Sequence, residues 1–182
     1  MSLKNLKILY ILKNKIGGLG SVLSSLSTYF INSNNVTLDE FRINNISIYS
    51  TYKKFSNNIK KLVKDVDIVH FHGSWSPHIF SLITKKTTVT VVSPHGALHP
   101  VSLKKSWFKK KVAKFLYVKE TYKNADCIHA LTTQEIEDIH NFGIYSTPIA
   151  LIPNGIDFGE MLNLEISYKN KLLNLANNRK VF

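Results

Sequence analysis

The chain has 182 residues, of which 44% are hydrophobic, and its mean hydropathy of -0.05 is close to zero. These values are typical of a folded globular protein and exclude a largely disordered chain. The 24 Lys and Arg residues against 12 Asp and Glu residues give a net charge of +12. Such an excess indicates an anionic partner, which is nucleic acid, an anionic membrane or a phosphorylated substrate.

Two further features indicate the cellular compartment. No stretch approaches the roughly 20 apolar residues of a membrane span, and the N-terminus lacks the pattern of a secretory signal. The single cysteine, Cys127, cannot form an internal disulfide and is expected to be a small buried side chain in a reducing compartment. We therefore expect a cytoplasmic protein, with peripheral attachment to the inner face of the cytoplasmic membrane as an option.

Short apolar runs alternate with helical patterns along the chain. Strands are predicted over 6–12, 66–71, 89–92, 126–131 and 149–152, and weaker strand patterns cover 37–41 and 46–49. Helices are predicted over 22–30, 52–64, 78–84, 103–124 and 134–142, with Gly143 ending the last of these.

This alternation, with strands that are almost continuously apolar, is typical of a parallel sheet buried between two layers of helices. We expect an α/β domain with a doubly wound, mostly parallel, Rossmann-like sheet over residues 1–158. Residues 159–182 are expected to form a linker helix and the truncated start of a second domain.

Three motifs follow predicted strands and should meet at one edge of the sheet, because ligands bind outside the carboxyl ends of parallel strands. The first contains Gly17 and Gly18, the second His72 and Gly73, and the third His95 and Gly96. The glycine motif is not a dinucleotide fingerprint, since Leu23 occupies the position of the third glycine. A turn that merely requires glycine explains it equally well.

Histidines in these loops have structural alternatives. His70 and His72 share one face of a strand, but no third ligand at a diagnostic spacing accompanies them, so we expect no bound metal. We expect His70 to pack in the sheet while His72 and Gly73 reach the cleft. His95, in a Pro-His-Gly loop, either contacts a substrate or forms a structural hydrogen bond. Thr132 and Glu135 have the spacing of a helix capping box.

The 103–124 segment is rich in lysine and aromatic residues. An ordinary solvated face is one interpretation. The other is contact with an anionic membrane surface, for which Lys105, Lys109 and Lys110 are the candidates. A nucleic-acid interface has less support because no RNA- or DNA-binding motif is present, so no specific nucleic-acid partner is expected.

Five motifs in this order, GGLG, HFHG, SPHGAL, LTTQE and IPNGID, resemble the N-terminal half of a family 4 glycosyltransferase of the GT-B type. The resemblance implies a retaining enzyme that moves a sugar from a nucleotide-sugar donor to a glycan or lipid-linked acceptor during bacterial surface polysaccharide or lipopolysaccharide assembly. It implies that His95 helps to stabilise positive charge at the anomeric carbon, that the Gly17-Gly18 pair lines the cleft, and that no metal or other cofactor is needed.

In such enzymes a second domain holds the donor nucleotide through two glutamates eight positions apart. None of the six glutamates of this chain has a partner at that spacing, so the resemblance implies an acceptor-side domain that is inactive alone. The alternative is a non-catalytic Rossmann-like module that binds a phosphorylated ligand or an anionic surface.

Overall fold

The computed structural model describes residues 6–12, 20, 23, 26, 36–42, 63–73, 75–83 and 88–155. These residues contain six strands: β1 (Leu6–Leu12), β2 (Val36–Arg42), β3 (Ile68–His72), β4 (Val89–Ser93), β5 (Cys127–Ala130) and β6 (Ile149–Leu151). The predicted strand over 46–49, the helices over 22–30 and 52–64 (apart from single residues), the Gly17-Gly18 loop and residues 159–182 lie outside the described residues.

The strands form one sheet in the order β2-β1-β3-β4-β5-β6, and every neighbouring pair is parallel. The chain moves from β1 outward to β2, then returns to the other side of β1 and continues in one direction. In open α/β sheets the ligand crevice lies where the strand order reverses, outside the carboxyl ends of the strands. Here that point lies between β1 and β3, which end at Leu12 and His72.

Apolar residues bury both faces of the sheet at β1. On one face, Leu9 and Ile11 of β1 belong to a large core with Phe71 and Ile128. On the other face, Tyr10 and Leu12 pack with Leu23 in a second cluster. Because both faces of β1 are buried, the prediction of a doubly wound α/β sheet is confirmed.

Helices with described bounds follow three of the strands. They are α1 (Pro77–Ile83), α2 (Pro100–Lys104), α3 (Trp107–Ala113), α4 (Lys119–Asn124) and α5 (Thr133–Asn141), and a π-helical turn (Lys114–Val118) joins α3 to α4. α5 ends as predicted at Gly143, whose φ of 91° is in the left-handed region that glycine adopts readily.

The prediction of one helix over 103–124 is wrong at its N-terminal end. Pro100 occupies the first turn of α2, where its missing N–H is not needed, and the His99 side chain accepts a hydrogen bond from the Val101 N–H. Ser106, with a φ of 59°, then separates α2 from α3. Cys127 also differs from expectation, since its side chain is only half-buried.

Candidate active site

Four histidines cluster near the carboxyl ends of the central strands. The parallel register places His70 beside Tyr10 and His72 beside Ser93 on the same face of the sheet. The rings of His70 and His72 have centroids 4.2 Å apart, and the His129 ring lies 5.6 Å from that of His70. His95, in the loop after β4, stacks on His72 at 5.2 Å. Strands β3, β4 and β5 therefore build one polar cluster from residues that are distant in sequence.

A chain of hydrogen bonds runs across the sheet beneath this cluster. The distance from His70 Nε2 to Ser93 Oγ is 2.7 Å, and that from Ser93 Oγ to His129 Nδ1 is 3.0 Å. His129 Nε2 donates to the Ile152 carbonyl at 2.8 Å, since a carbonyl can only accept. In neutral His129, Nδ1 then accepts from the Ser93 hydroxyl, and Ser93 Oγ accepts from His70 Nε2. This series of hydrogen bonds therefore places the imidazole proton of His70 on Nε2.

His72 supports His95 directly. Its Nδ1 lies 2.9 Å from His95 Nε2, and its side chain is only 4% exposed. Of the two histidines of β3, His72 is buried and His70 is half-buried, and contact of His72 with a ligand stays a prediction. His72 Nε2 is buried without a hydrogen-bond partner among the described residues.

Three histidines of this cluster, His70, His72 and His95, are held in the neutral form. Burial, followed by the neighbouring His129 and His95, lowers the pKa of His70 to about 3. Burial and then His129 lower the pKa of His95 to about 4, and burial lowers the pKa of His72 still further. Since the uncharged imidazole is favoured, these rings offer lone pairs and aromatic faces at neutral pH, not positive charge.

The backbone around His95 adopts an unusual conformation. His95 has a φ of 51° and Gly96 a φ of 70°, so two successive residues lie in the left-handed region. For a non-glycine residue this costs roughly 1–2 kcal/mol. The Pro94 and Gly96 carbonyls accept hydrogen bonds from Ala97 and His99. Strain of this kind persists where the surroundings enforce it and is common at functional sites.

Glu135 helps to hold the His95 loop in this conformation. Its buried carboxylate accepts hydrogen bonds from the Gly96 N–H at 2.6 Å and from the Leu131 N–H at 2.8 Å. Thr132 caps α5 as predicted, because its hydroxyl accepts from the Glu135 N–H at 3.1 Å. Glu135 itself does not return to the N-cap, as a capping box would require. It joins the loop after β4 to the loop after β5.

Gly73 completes the same edge of the sheet. Its φ is 90°, and its N–H donates to the Ser93 carbonyl at 2.9 Å. The structure therefore brings together His72, Gly73, His95 and Gly96, whereas Gly17 and Gly18 lie outside the described residues. In the described part of the chain, no group of three or more His, Cys, Asp or Glu side chains is arranged to hold a metal ion.

Sequence reasoning missed His129 as a member of the cluster, and it missed the hydrogen bond that His129 forms with Ser93 of the SPHGAL motif. Ser93 and His129 lie on neighbouring strands and bond to each other, although they are far apart in the chain. Alternation along a strand indicates which residues share its face, but the register between β4 and β5 decides that these two meet.

A parallel sheet with polar loops at its carboxyl edge agrees with the family to which the sequence is similar. The family model of Glycosyltransferase Family 4 matches residues 24–160. The chain belongs to glycosyltransferase family 4. A comparison with curated proteins found no match. The matched residues include β2 to β6 and the whole histidine cluster.

Proposed function

We propose that this family 4 domain is the acceptor side of a retaining glycosyltransferase. The enzyme would move a sugar from a nucleotide-sugar donor to a glycan or lipid-linked acceptor, in the assembly of bacterial surface polysaccharide. The observation that carries the proposal is the placement of His95. It stands at the carboxyl edge of the sheet in a left-handed backbone conformation, buttressed by the buried His72.

The state of His95 suits this chemistry. Glycosyl transfer develops positive charge on the sugar, as in the oxocarbenium-like transition states of glycoside hydrolysis. An imidazolium would repel that charge, but burial lowers the pKa of His95 to about 4, so the ring is neutral at pH 7. A neutral ring, together with the loop carbonyl dipole, offers electron density fixed before the reaction begins. Such preorganised groups need no rearrangement when charge appears.

The glycine conformations leave room for a ligand at this edge. Among the described residues, a Cβ placed on Gly73 or on Gly96 would meet no atom within 4 Å. The described part of the chain therefore leaves space for a ligand beside both glycines. The nucleotide of the donor substrate would be held by a second domain, and no cofactor would be required.

The proposal is tested with the complete enzyme, in which this domain is joined to the donor-binding second domain, using labelled nucleotide sugars and membrane lipid or glycan extracts as acceptors. Transfer is expected with the anomeric configuration of the donor preserved, as read by NMR of the product. His95→Ala should lower kcat by about 100-fold, the loss typical of one preorganised electrostatic contact.

The matched control is His140→Ala, which removes a histidine that stacks on Tyr145 away from the cluster. It should leave kcat unchanged. Normal turnover in a folded His95→Ala enzyme would remove His95 from the mechanism. Binding of a phosphorylated ligand with no transfer to any acceptor would favour the non-catalytic module instead.

A further inference from the structure

The surface of α3 and the following π-helical turn exposes large apolar side chains that nothing in the described structure covers. Phe115 is 89% exposed and Phe108 is 65% exposed. With Val112, Leu116 and Trp107 they form what we name the apolar ridge. A contiguous exposed apolar patch on a globular domain typically marks a binding surface. The ridge is therefore the strongest unexplained feature outside the histidine cluster.

The ridge is one-sided. Phe108, Val112 and Phe115 follow an i, i+4, i+7 spacing, which places them along one face of a helix. At 3.6 residues per turn, Lys109 and Lys111 project to the two sides of this line, and both are exposed. The arrangement is that of an amphipathic helix lying in a membrane interface, with an apolar centre and a cationic border.

Other lysines of the same segment are turned toward the domain. Lys110 donates to the Ser102 carbonyl, and its ammonium lies 5.1 Å from the centre of the Trp75 ring. Lys114 lies over Phe142 at 4.1 Å. Lys110, a candidate from the sequence, is therefore engaged by the protein, whereas Lys105 and Lys109 are exposed.

The ridge lies at the same end of the sheet as the candidate active site. Tyr117, one residue beyond the ridge, donates its hydroxyl proton to the Trp75 carbonyl at 3.1 Å. Trp75 follows Gly73 in the loop at the carboxyl end of β3. A surface on which the ridge rests would therefore come close to the site where an acceptor is expected.

The positive charge of this segment indicates which kind of partner binds the apolar ridge. Residues 100–119 contain no Asp or Glu, and the first acidic residue after them is Glu120. A second copy of the chain would bring lysines against lysines, and the cores of protein interfaces are depleted in lysine. An anionic lipid surface satisfies both the apolar ridge and its lysines. None of the described helices has the length and apolarity to cross a bilayer, so contact would be interfacial.

We propose that the domain docks on an anionic bilayer, with the apolar ridge entering the headgroup and acyl boundary and Lys105, Lys109 and Lys111 contacting the headgroups. Docking goes beyond glycosyl transfer and does not depend on it. Each lysine near an anionic surface strengthens attachment about fivefold, and the two phenylalanines add the apolar part.

The test is co-sedimentation of the purified chain with vesicles of phosphatidylcholine alone or mixed with phosphatidylglycerol. The parent should bind the anionic vesicles and bind the neutral ones at least about tenfold more weakly. Phe108→Ser combined with Phe115→Ser, and separately Lys109→Glu combined with Lys111→Glu, should each weaken binding to anionic vesicles by about tenfold or more. All four side chains are exposed, so both variants should fold, which circular dichroism checks.

Two matched controls stand outside the ridge. Tyr145→Ser removes an aromatic ring that is 76% exposed, and Lys7→Glu combined with Lys64→Glu makes the same change in charge at exposed positions. Both should bind like the parent. The proposal is overturned if neutral and anionic vesicles bind equally, or if the controls lose as much binding as the ridge variants. It is also overturned if the parent does not bind vesicles and sediments as a dimer, while the variant with both phenylalanines replaced sediments as a monomer. In that case the ridge joins two copies of the chain.

Discussion

Replacing Glu135 by glutamine should loosen the His95 loop. The carboxylate accepts hydrogen bonds from the Gly96 and Leu131 N–H groups, whereas a glutamine amide has one acceptor oxygen and one donor NH₂. At least one of the two N–H groups then faces another donor. Glu135 acts through this loop and is therefore a positioning residue, without expected contact to substrate.

The size of the effect follows from the two bonds. Hydrogen bonds to a charged group contribute about 1.5–3 kcal/mol each. Gly96 is exposed, so water can replace its partner, while Leu131 is half-buried and its bond counts more fully. We expect a loss of about 2–3 kcal/mol in the free energy of unfolding. For a domain of this length the thermal midpoint should fall by about 4–12 °C.

Amide hydrogen exchange measured by NMR separates positioning from general destabilisation. In Glu135→Gln, the Gly96 amide should exchange about tenfold faster or more, while amides in β1 change only with global stability. Glu137→Gln is the control, because Glu137 is exposed on the same helix and accepts a hydrogen bond from the Gln134 side chain. If Gly96 exchanges equally in the parent and in Glu135→Gln, or if Glu137→Gln has the same effect, Glu135 does not hold the loop.

Two more predictions concern the histidine cluster. Because burial lowers the pKa of His70 to about 3 and that of His95 to about 4, the unfolded chain binds more protons than the folded one below pH 6.5. The free energy of unfolding should therefore decrease by at least about 1.4 kcal/mol per pH unit as the pH falls below 6.5, which urea titration detects as a lower midpoint. An unchanged midpoint between pH 7 and pH 5 contradicts this prediction. Ser93→Ala leaves His70 and His129 without their shared hydroxyl and should lower the free energy of unfolding by about 1–3 kcal/mol in urea titration, whereas the half-exposed Ser102→Ala should be neutral.

The fold class could be predicted from the sequence because its signals are local. The apolar run of β1 matches the observed strand residue for residue, and the predicted strands at β3, β4, β5 and β6 appear within a few residues of their expected bounds. Near-continuous apolarity requires burial on both faces, and this requirement leads to a parallel sheet between helix layers. The positions of Gly73 and His95 at strand ends follow from the same patterns.

The contacts within the site could not be predicted, because they depend on register and on the packing of separate loops. The bond from Glu135 to Gly96 joins two loops separated by 39 positions, and the bond from Ser93 to His129 joins strands separated by 36. Helix periodicity likewise cannot reveal that Ser106 breaks the basic segment or that Lys110 turns toward Trp75. Composition and local pattern thus determined the sheet and the edge where its motifs lie, whereas long-range packing decided which side chains meet there, since a contact between distant residues leaves no periodic signal in either segment.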